Sequence, residues 1–320
     1  MKYAGCPFLM NGHTMKHILW LFLAVLLTVS CGQSETERHR LSRQERLRLQ
    51  REDSAALKIA VMPTIECLPV YVARQAGLFD SLGADVRLKY FTAQMDCDTA
   101  LAGGSVEGAF TDLVRGQRLV RQGTPLTYVT AVETYWQLIS GRNARIKSLK
   151  QLYDKMLAVT RFSATDFWGD YVVDSVKLKD ERVYRVQIND VNVRMKMMLN
   201  IEMDAALMDE PQATAVRLAR GKVIFDTHPQ NVRLGAVAFR TSVVNDRSRR
   251  KQLDVFRKAY DMACDSIRKY GVRHYSRLIA DYCHVSQTTA DSLPQNISFM
   301  PVSAPRQQDV ERADKWLNKR

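Results

Sequence analysis

Residues 57–91, LKIAVMPTIECLPVYVARQAGLFDSLGADVRLKYF, and residues 102–113, AGGSVEGAFTDL, decide how this chain folds. Leu57 to Met62 is a short apolar run closed by Pro63. From Leu68 to Leu78 the apolar residues fall at helical spacing, and Gly77 stands where a helix stops. Val86, Leu88 and Tyr90 alternate with Asp85, Arg87 and Lys89, the period of a strand. Residues 93–102 return to a helical pattern that ends at Gly103-Gly104, and Glu107 to Phe110 is a third short strand running into Thr111-Asp112. Strands alternating with short helices predict parallel strands joined by right-handed crossovers. Ligands of such sheets bind beyond the carboxyl ends of the strands. Pro63 to Cys67, Thr92 to Gln94 and Thr111-Asp112 are therefore the first candidate loops.

The chain has 320 residues, long for one core and comfortable for two lobes. Its formal net charge is +13, but the cations fall in ones and twos, mostly on predicted helix faces. No nucleic-acid-binding motif accompanies them, so a nucleic-acid partner is not expected. Near the amino terminus, Met15-Lys16-His17 precedes the apolar run Ile18 to Val29, which is too short to span a bilayer and fits a signal-peptide core. The segment LLTVSCGQS that follows resembles a bacterial lipobox, with Cys31 as the lipidated residue; Thr28 stands where a leucine is usual. Gly32 to Ser54 is a charged tether without aromatics, in which Gln44 to Glu52 can form a solvated helix.

The strand–helix alternation continues through a helix at 113–122 and a strand at 126–132, then begins again. Strands are expected at 135–140, 156–160, 183–188, 204–208 and 222–225, with helices starting near Thr165, Val191 and Gln212. Leu234 to Phe239 reads as a strand returning to the first lobe, followed by a long amphipathic helix from Arg247 to Tyr270 and a helical tail. The expected organisation is a signal peptide over 1–31, a polar tether over 32–54, one lobe from 55–133 with 234–320, and a second lobe over 134–233. Each lobe is expected to be a mostly parallel sheet flanked by helices, an α/β architecture.

The segment PVYVARQAGLFDSLGADVRLKYF resembles the opening of the NMT1/THI5-like group of type 2 periplasmic solute-binding proteins, in which a strand leads into a P-x-Y-V-A-x-x-x-G-L-F helix. Here that pattern is Pro69, Tyr71 to Ala73 and Gly77 to Phe79. KSLKQLYDKMLAVTRFSATDFWGDYVV and MDAALMDEPQATAV are similar to two second-lobe segments of the same group. The resemblance implies a two-lobed fold, a small-molecule ligand held between the lobes, an ABC transporter permease as partner, and a monomer on the periplasmic side of the cell envelope, attached to the membrane through the lipid anchor. It implies no cofactor, no metal and no catalysis. The ligands of this group are sulfonates, taurine and pyrimidine precursors. Two departures fall in the implied pocket: Phe162 stands where glycine is usual, and Asp209 where an aromatic often precedes Glu-Pro.

On this chain the implied ligand contacts are Thr64, Glu66, Asp112, Glu133, Tyr135, Arg161, Phe162, Ser163, Thr165, Asp209 and Glu210. A helix starting near Thr165 offers free backbone donors to an anionic group, and Arg161 would add a bidentate donor. Asp112, Glu133, Asp209 and Glu210 favour a cationic or amine-rich ligand, and a zwitterion or an aminopyrimidine-like heterocycle satisfies both. The bland reading of each is structural: Glu210-Pro211 starts a helix, and Phe162 is core. The five methionines from Met195 to Met208 are read as core filler and not as metal ligands.

Past Cys31 four cysteines remain, and an exported chain favours disulfides. Neighbouring parallel strands would set the helix starts at Cys67 and Cys97 side by side, so Cys67–Cys97 and Cys264–Cys283 are the expected pairs, with free buried thiols as the alternative. The histidines past Cys31 are His39, His228, His274 and His284, none of them in the strand-end loops between Leu57 and Gly221. With no Ser-His-Asp order, zinc spacing or phosphate loop, binding is preferred over two other readings: an enzyme on the same fold acting on a cofactor precursor such as a pyrimidine, and an anchored interaction protein with a degenerate cleft.

Overall fold

The structure is a computed structural model that describes residues 43–179 and 182–320. The expected signal peptide, the expected lipidation site at Cys31 and residues 32–42 of the expected tether lie outside the described residues. The described residues divide into two units, 43–55 and 56–320. In the first, α1 (Arg43–Ala55) is a charged helix within the expected tether, with Leu47 and Leu49 exposed.

The second unit contains two five-stranded sheets. Strands β1 (Leu57–Val61), β2 (Val86–Tyr90), β3 (Gly108–Asp112), β4 (Leu126–Val132) and β10 (Gly235–Arg240) form the first, in the order β2-β1-β3-β10-β4. Strands β5 (Gln137–Ser140), β6 (Lys155–Val159), β7 (Val183–Gln187), β8 (Ala205–Met208) and β9 (Lys222–Asp226) form the second, in the order β7-β6-β8-β5-β9. In each sheet the first three strands are parallel. The fourth is antiparallel to both its neighbours: β10 between β3 and β4, β5 between β8 and β9. Both antiparallel strands adjoin a crossing between the sheets. The expected α/β fold of two lobes, each a mostly parallel sheet flanked by helices, is what the chain adopts. The reversed strand in each lobe is the refinement, because a chain that leaves one sheet at β4 enters the next against the direction of its neighbours.

Helices α2 (Leu68–Gln75), α3 (Leu78–Ser81), α4 (Gln94–Gly103) and α5 (Leu113–Arg121) belong to the first lobe; α6 (Ala164–Ser175), α7 (Val191–Leu199) and α8 (Gln212–Leu218) belong to the second. After β10 come α9 (Thr241–Asn245), α10 (Arg250–Tyr270), α11 (Ser276–Cys283), α12 (Gln287–Asp291) and α13 (Gln307–Leu317). The stripe predicted on the long helix is buried: Leu253, Phe256, Tyr260, Ala263 and Ile267 pack with Val70, Tyr71 and Ala73 of α2 over one face of the first sheet. The methionines Met195, Met198, Met203 and Met208 fill the core on one face of the second sheet, as a flexible apolar side chain suits.

Two segments, 133–136 and 227–234, carry the chain between the sheets. They are bonded to each other: Trp136 N–H donates to Thr227 Oγ1 at 2.9 Å, and Thr227 N–H donates to the Trp136 carbonyl at 3.0 Å. Where the return strand begins, a Cβ on Gly235 would lie 2.4 Å from the Val132 carbonyl oxygen. Only glycine fits this approach of two backbones.

The two expected disulfides do not form. Cys67, Cys97, Cys264 and Cys283 are free and buried. Cys67 packs with α2 and α10 on one face of the first sheet, whereas Cys97 packs with Ala60, Met62 and Leu101 in a separate cluster. The helix starts are neighbours along the sheet, but their thiols enter different cores. Cys264 shares a cluster with Cys283, yet its Sγ is turned to the Met300 carbonyl at 3.5 Å. Burial pushes all four thiols up, Cys97 and Cys264 to about 12, so they carry little thiolate at neutral pH.

Two outcomes follow. Unreduced protein, alkylated in denaturant and digested, should yield modified peptides for all four cysteines, while native protein should leave them unmodified over the same time; any disulfide-linked pair among them contradicts this packing. Gly235→Ala should destabilise by about 2–3 kcal/mol in urea unfolding, the range for forcing atoms into packed backbone. Gly103→Ala is the control: its Cβ meets nothing within 4 Å, and it should stabilise by about 0.5 kcal/mol.

Candidate functional site

The strand-end loops of both sheets meet each other. After β1 the chain turns through Pro63 and Thr64 into a single 3₁₀ turn, Ile65–Cys67, that feeds α2. After β8 it runs through Asp209-Glu210-Pro211 into α8. These loops bond directly across the cleft: Ile65 N–H donates to the Glu210 carbonyl at 2.8 Å, and Gln212 Nε2 donates to the Pro63 carbonyl at 2.7 Å. A second seam joins the loops after β2 and β7, where Val191 N–H donates to the Thr92 carbonyl at 3.2 Å.

Three carboxyl groups approach one another at this junction. Glu66 comes from the first lobe and accepts from Thr134 Oγ1 at 2.6 Å. Asp112 ends β3 and caps α5, its Oδ1 accepting from Arg115 N–H at 3.0 Å. Asp209 follows β8 in the second lobe and is 8% exposed. Burial pushes the Asp112 carboxyl up to about 6, while Arg115 and the backbone amides of Arg115 and Ala164 hold it down. Burial also raises Glu66; the Thr134 bond opposes the rise and the Asp112 charge adds to it. Asp209 is raised well above the carboxylate range by burial and then by Glu66, with Arg194 opposing.

The two cations beside these carboxyl groups are already engaged. Arg115 points at Asp98, with Nη2 to Oδ1 at 2.6 Å, and also donates to the Gln94 carbonyl. Arg194 donates to the carbonyls of Ile188 and Leu207 and to Thr160 Oγ1; burial lowers its pKa to about 10, so it remains charged at neutral pH. Neither Glu66 nor Asp209 forms an ion pair among the described residues. Beside them the buried Gln212 Oε1 lacks a hydrogen-bond partner, and the Thr64 hydroxyl sits next to Glu66 and opposes its rise.

The remaining expected contacts are placed differently. Ser163 caps α6, and its hydroxyl donates to the Thr160 carbonyl at 2.7 Å; Thr165 Oγ1 accepts from Thr160 N–H at 2.9 Å. Both hydroxyls thus hold the start of α6. Arg161 turns back onto buried Asp166, Nε to Oδ2 at 3.2 Å, instead of facing the cleft as a free donor. Phe162 has φ of 55° and lies under the Arg118 guanidinium of the first lobe at 4.6 Å. The aromatic ring in place of glycine thus forms a cation–π contact between the lobes. Glu210 accepts from Thr214 and pairs with Arg217 at 2.7 Å, all within the second lobe. Glu133 accepts from Ser298 Oγ of the carboxyl-terminal segment.

The Tyr135 and His228 rings lie 4.3 Å apart and tilted by 43°, with Arg233 over the Tyr135 ring. His228, set outside the strand-end loops by its position in the sequence, therefore sits beside them. A cavity of about 100 Å³ opens here, lined by Tyr135, Met208, Glu210, Asp226, His228 and Ile297.

Sequence reasoning missed Arg115, Arg194 and Gln212. Arg194 carried a legible signal: a cation on the apolar stripe of Val191, Met195 and Met198. Arg115 carried one too, three residues after an aspartate at a helix start.

A family model described as NMT1/THI5 like matches residues 64–280. No curated protein matches the chain. Among solved structures, it is similar to the alkanesulfonate-binding protein SsuA from Xanthomonas axonopodis pv. citri bound to MOPS, with 13% identity, a TM-score of 0.71, and coverage of 83% of this chain and 92% of that one. It is also similar to the nitrate-binding protein NrtA from Synechocystis PCC 6803, with 13% identity, a TM-score of 0.64, and coverage of 80% and 74%. A third is PhnD1 from Prochlorococcus marinus in complex with methylphosphonate, with 12% identity, a TM-score of 0.57, and coverage of 83% and 99%. At these identities the likeness is one of fold.

A carboxyl group whose pKa rises on folding makes the folded state more stable below its unfolded value, and that gain is lost as pH rises through the folded value. For Asp112, moving from about 3.9 to about 6 amounts to about 3 kcal/mol. Asp112→Asn keeps the helix cap and removes the charge. It should raise stability at pH 7.5 by about 1–3 kcal/mol in urea unfolding, and the gain should shrink as pH falls and vanish near about pH 3, below the unfolded value. A loss of stability at pH 7.5 would mean that the ionised carboxylate is fully compensated.

Proposed function

The chain belongs to the NMT1/THI5-like family, and from that premise we propose that it is the lipid-anchored solute-binding component of an ABC-type importer. In this reading residues 55–133 with 234–320 form one lobe, residues 134–233 form the other, and the two close around a small polar ligand of zwitterionic or nitrogen-heterocycle type. The partner is an inner-membrane permease, and the protein works as a monomer on the periplasmic side of the cell envelope. The observation that carries the reading is the meeting of Glu66 and Asp112 from one lobe with Asp209 from the other, at the carboxyl ends of parallel strands. Ligands of open α/β sheets bind at such strand ends. Two of the structural neighbours are named for alkanesulfonate and nitrate, and the third is a complex with methylphosphonate; their shared fold supports binding between the lobes, and the buried carboxyl groups here support a different ligand.

One observation favours a second reading, an anchored interaction protein. The lobes are bonded to each other through Ile65, Glu210, Gln212 and Pro63, so part of the cleft is filled by the chain itself.

A thermal-shift screen of the purified chain against sulfonates, pyrimidines, amines and amino acids separates the two. A true ligand at about 100 times its Kd stabilises by about 2.7 kcal/mol, an easily read rise in Tm. The expected result is at least one compound class that does so. A flat response across all four classes would leave the interaction reading in place of transport.

A further inference from the structure

We propose that the cleft selects a small organic cation, an ammonium or amidinium group held between Glu66 and Asp209, and that Asp112 excludes anions by lying at the start of α6. This rests on the solute-binding reading and names the charge of its ligand.

The start of a helix is where an anion would bind, because unpaired N–H groups and the positive end of the dipole lie there. At α6 that place is supplied from within. The Asp112 side chain, only 3% exposed, belongs to the other lobe and caps α5, which lies against this turn with Arg118 over the Phe162 ring; the Ala164 amide is among the groups that hold its carboxyl down. Ser163 and Thr165 take up further donors at the same turn. The guanidinium groups that would otherwise draw an anion are occupied: Arg115 by Asp98, Arg161 by Asp166, and Arg194 by three oxygens. An arriving sulfonate or nitrate would meet a carboxylate and no free guanidinium.

The opposite holds for donors. Glu66 and Asp209 come from facing lobes and repel each other, and among the described residues neither forms an ion pair, although Arg194 opposes the rise of Asp209. Thr64 Oγ1, 2% exposed, turns its hydroxyl toward Glu66 and leaves its lone pairs open, and the buried Gln212 Oε1 has no hydrogen-bond partner. Together these are acceptors awaiting N–H groups, and a group with several N–H donors and a positive charge satisfies them at once. An uncompensated pair of carboxylates is costly to close upon, so closure is favoured when the cation is present. Glu66 is only partly buried, and Met208 and Glu210, which flank Asp209 in sequence, line the 100 Å³ cavity that ends on Tyr135 and His228.

Isothermal titration of the full chain tests this with putrescine, agmatine and benzamidine as cationic probes, and with methanesulfonate, nitrate and inorganic phosphate as anionic ones. At least one cationic probe should bind and no anionic probe should. Glu66→Gln and Asp209→Asn should each weaken that binding tenfold or more while remaining folded, since each removes a repulsion. Asp112→Ser, which keeps the cap but not the charge, should gain measurable anion binding. Anion binding by the unaltered chain, or cation binding indifferent to both carboxamide variants, overturns the selectivity while leaving solute binding intact. Failure of every probe with the unaltered chain and all three variants overturns the selectivity and the solute-binding reading together.

Discussion

Everything in the cleft depends on the chain crossing twice between two sheets through a gap that admits no side chain at Gly235. A crossing strand exposes backbone donors and acceptors that a buried interior must satisfy. Here the two crossing segments satisfy each other through the exchange between Trp136 and Thr227, and Leu113 N–H reaches the Leu234 carbonyl at 2.7 Å. This places the carboxyl ends of β1 and β3 opposite the carboxyl end of β8. The same crossings explain the reversed strand in each sheet, because β5 and β10 are the continuations of those segments. The shared strand order of the two sheets follows from two similar units joined by an exchanged strand.

Within that frame, the electrostatics of the cleft are decided by which charges are already spent. The buried cations are enclosed by oxygens from their own lobes, whereas Glu66 and Asp209 have hydroxyl and amide contacts but no cation of their own. Transfer of an ionised carboxylate to a low-dielectric site without a partner costs several kcal/mol. A raised pKa is the way a protein in water reports that cost. Carboxyl groups of two lobes therefore disfavour the closed arrangement at neutral pH unless something positive joins them.

The fold was legible because periodicity and turn residues speak for local structure. The run from Leu57 to Phe91, the stop at Gly103-Gly104 and the stripe on α10 each gave the element the structure contains. The site was legible only in part. Thr64, Glu66, Asp112 and Asp209 were identifiable as residues beyond strand ends, and the structure brings them together. Arg161 was misjudged, because nothing in a linear sequence says that Asp166, one helical turn on, holds its guanidinium. Phe162 was noted as a departure, but its partner, Arg118, lies on a helix of the other lobe. The disulfides failed for a related reason: adjacency of two helices along a sheet does not say which face each thiol enters. His228 was passed over because its segment looks like a connection, and only the tertiary fold lays it against Tyr135.

The carboxyl-terminal helix adds one constraint on how the lobes can part. It lies along α5 of the first lobe, where Arg121 pairs with Asp314 at 2.5 Å, and reaches α6 of the second, where Trp316 Nε1 donates to Asp170 at 2.7 Å. The Arg121–Asp314 pair is one-third to nearly one-half exposed, and such pairs contribute ~0–1 kcal/mol. The apolar contacts weigh more: Ala313 and Leu317 are buried in a cluster with Leu113, Val114 and Trp168, and one large side chain buried there is worth about 1.5–3 kcal/mol. The seam opposite is made of hydrogen bonds between loops, at Ile65–Glu210 and Gln212–Pro63, each a net contribution of about 1 kcal/mol. The helix-bound side is therefore the stronger of the two. An opening that follows the weaker side pivots on α5, α6 and α13, parts Glu66 from Asp209, and leaves Asp112 at the start of α6. The group that turns anions away would then hold its position while the carboxylates that attract a cation are exposed to solvent.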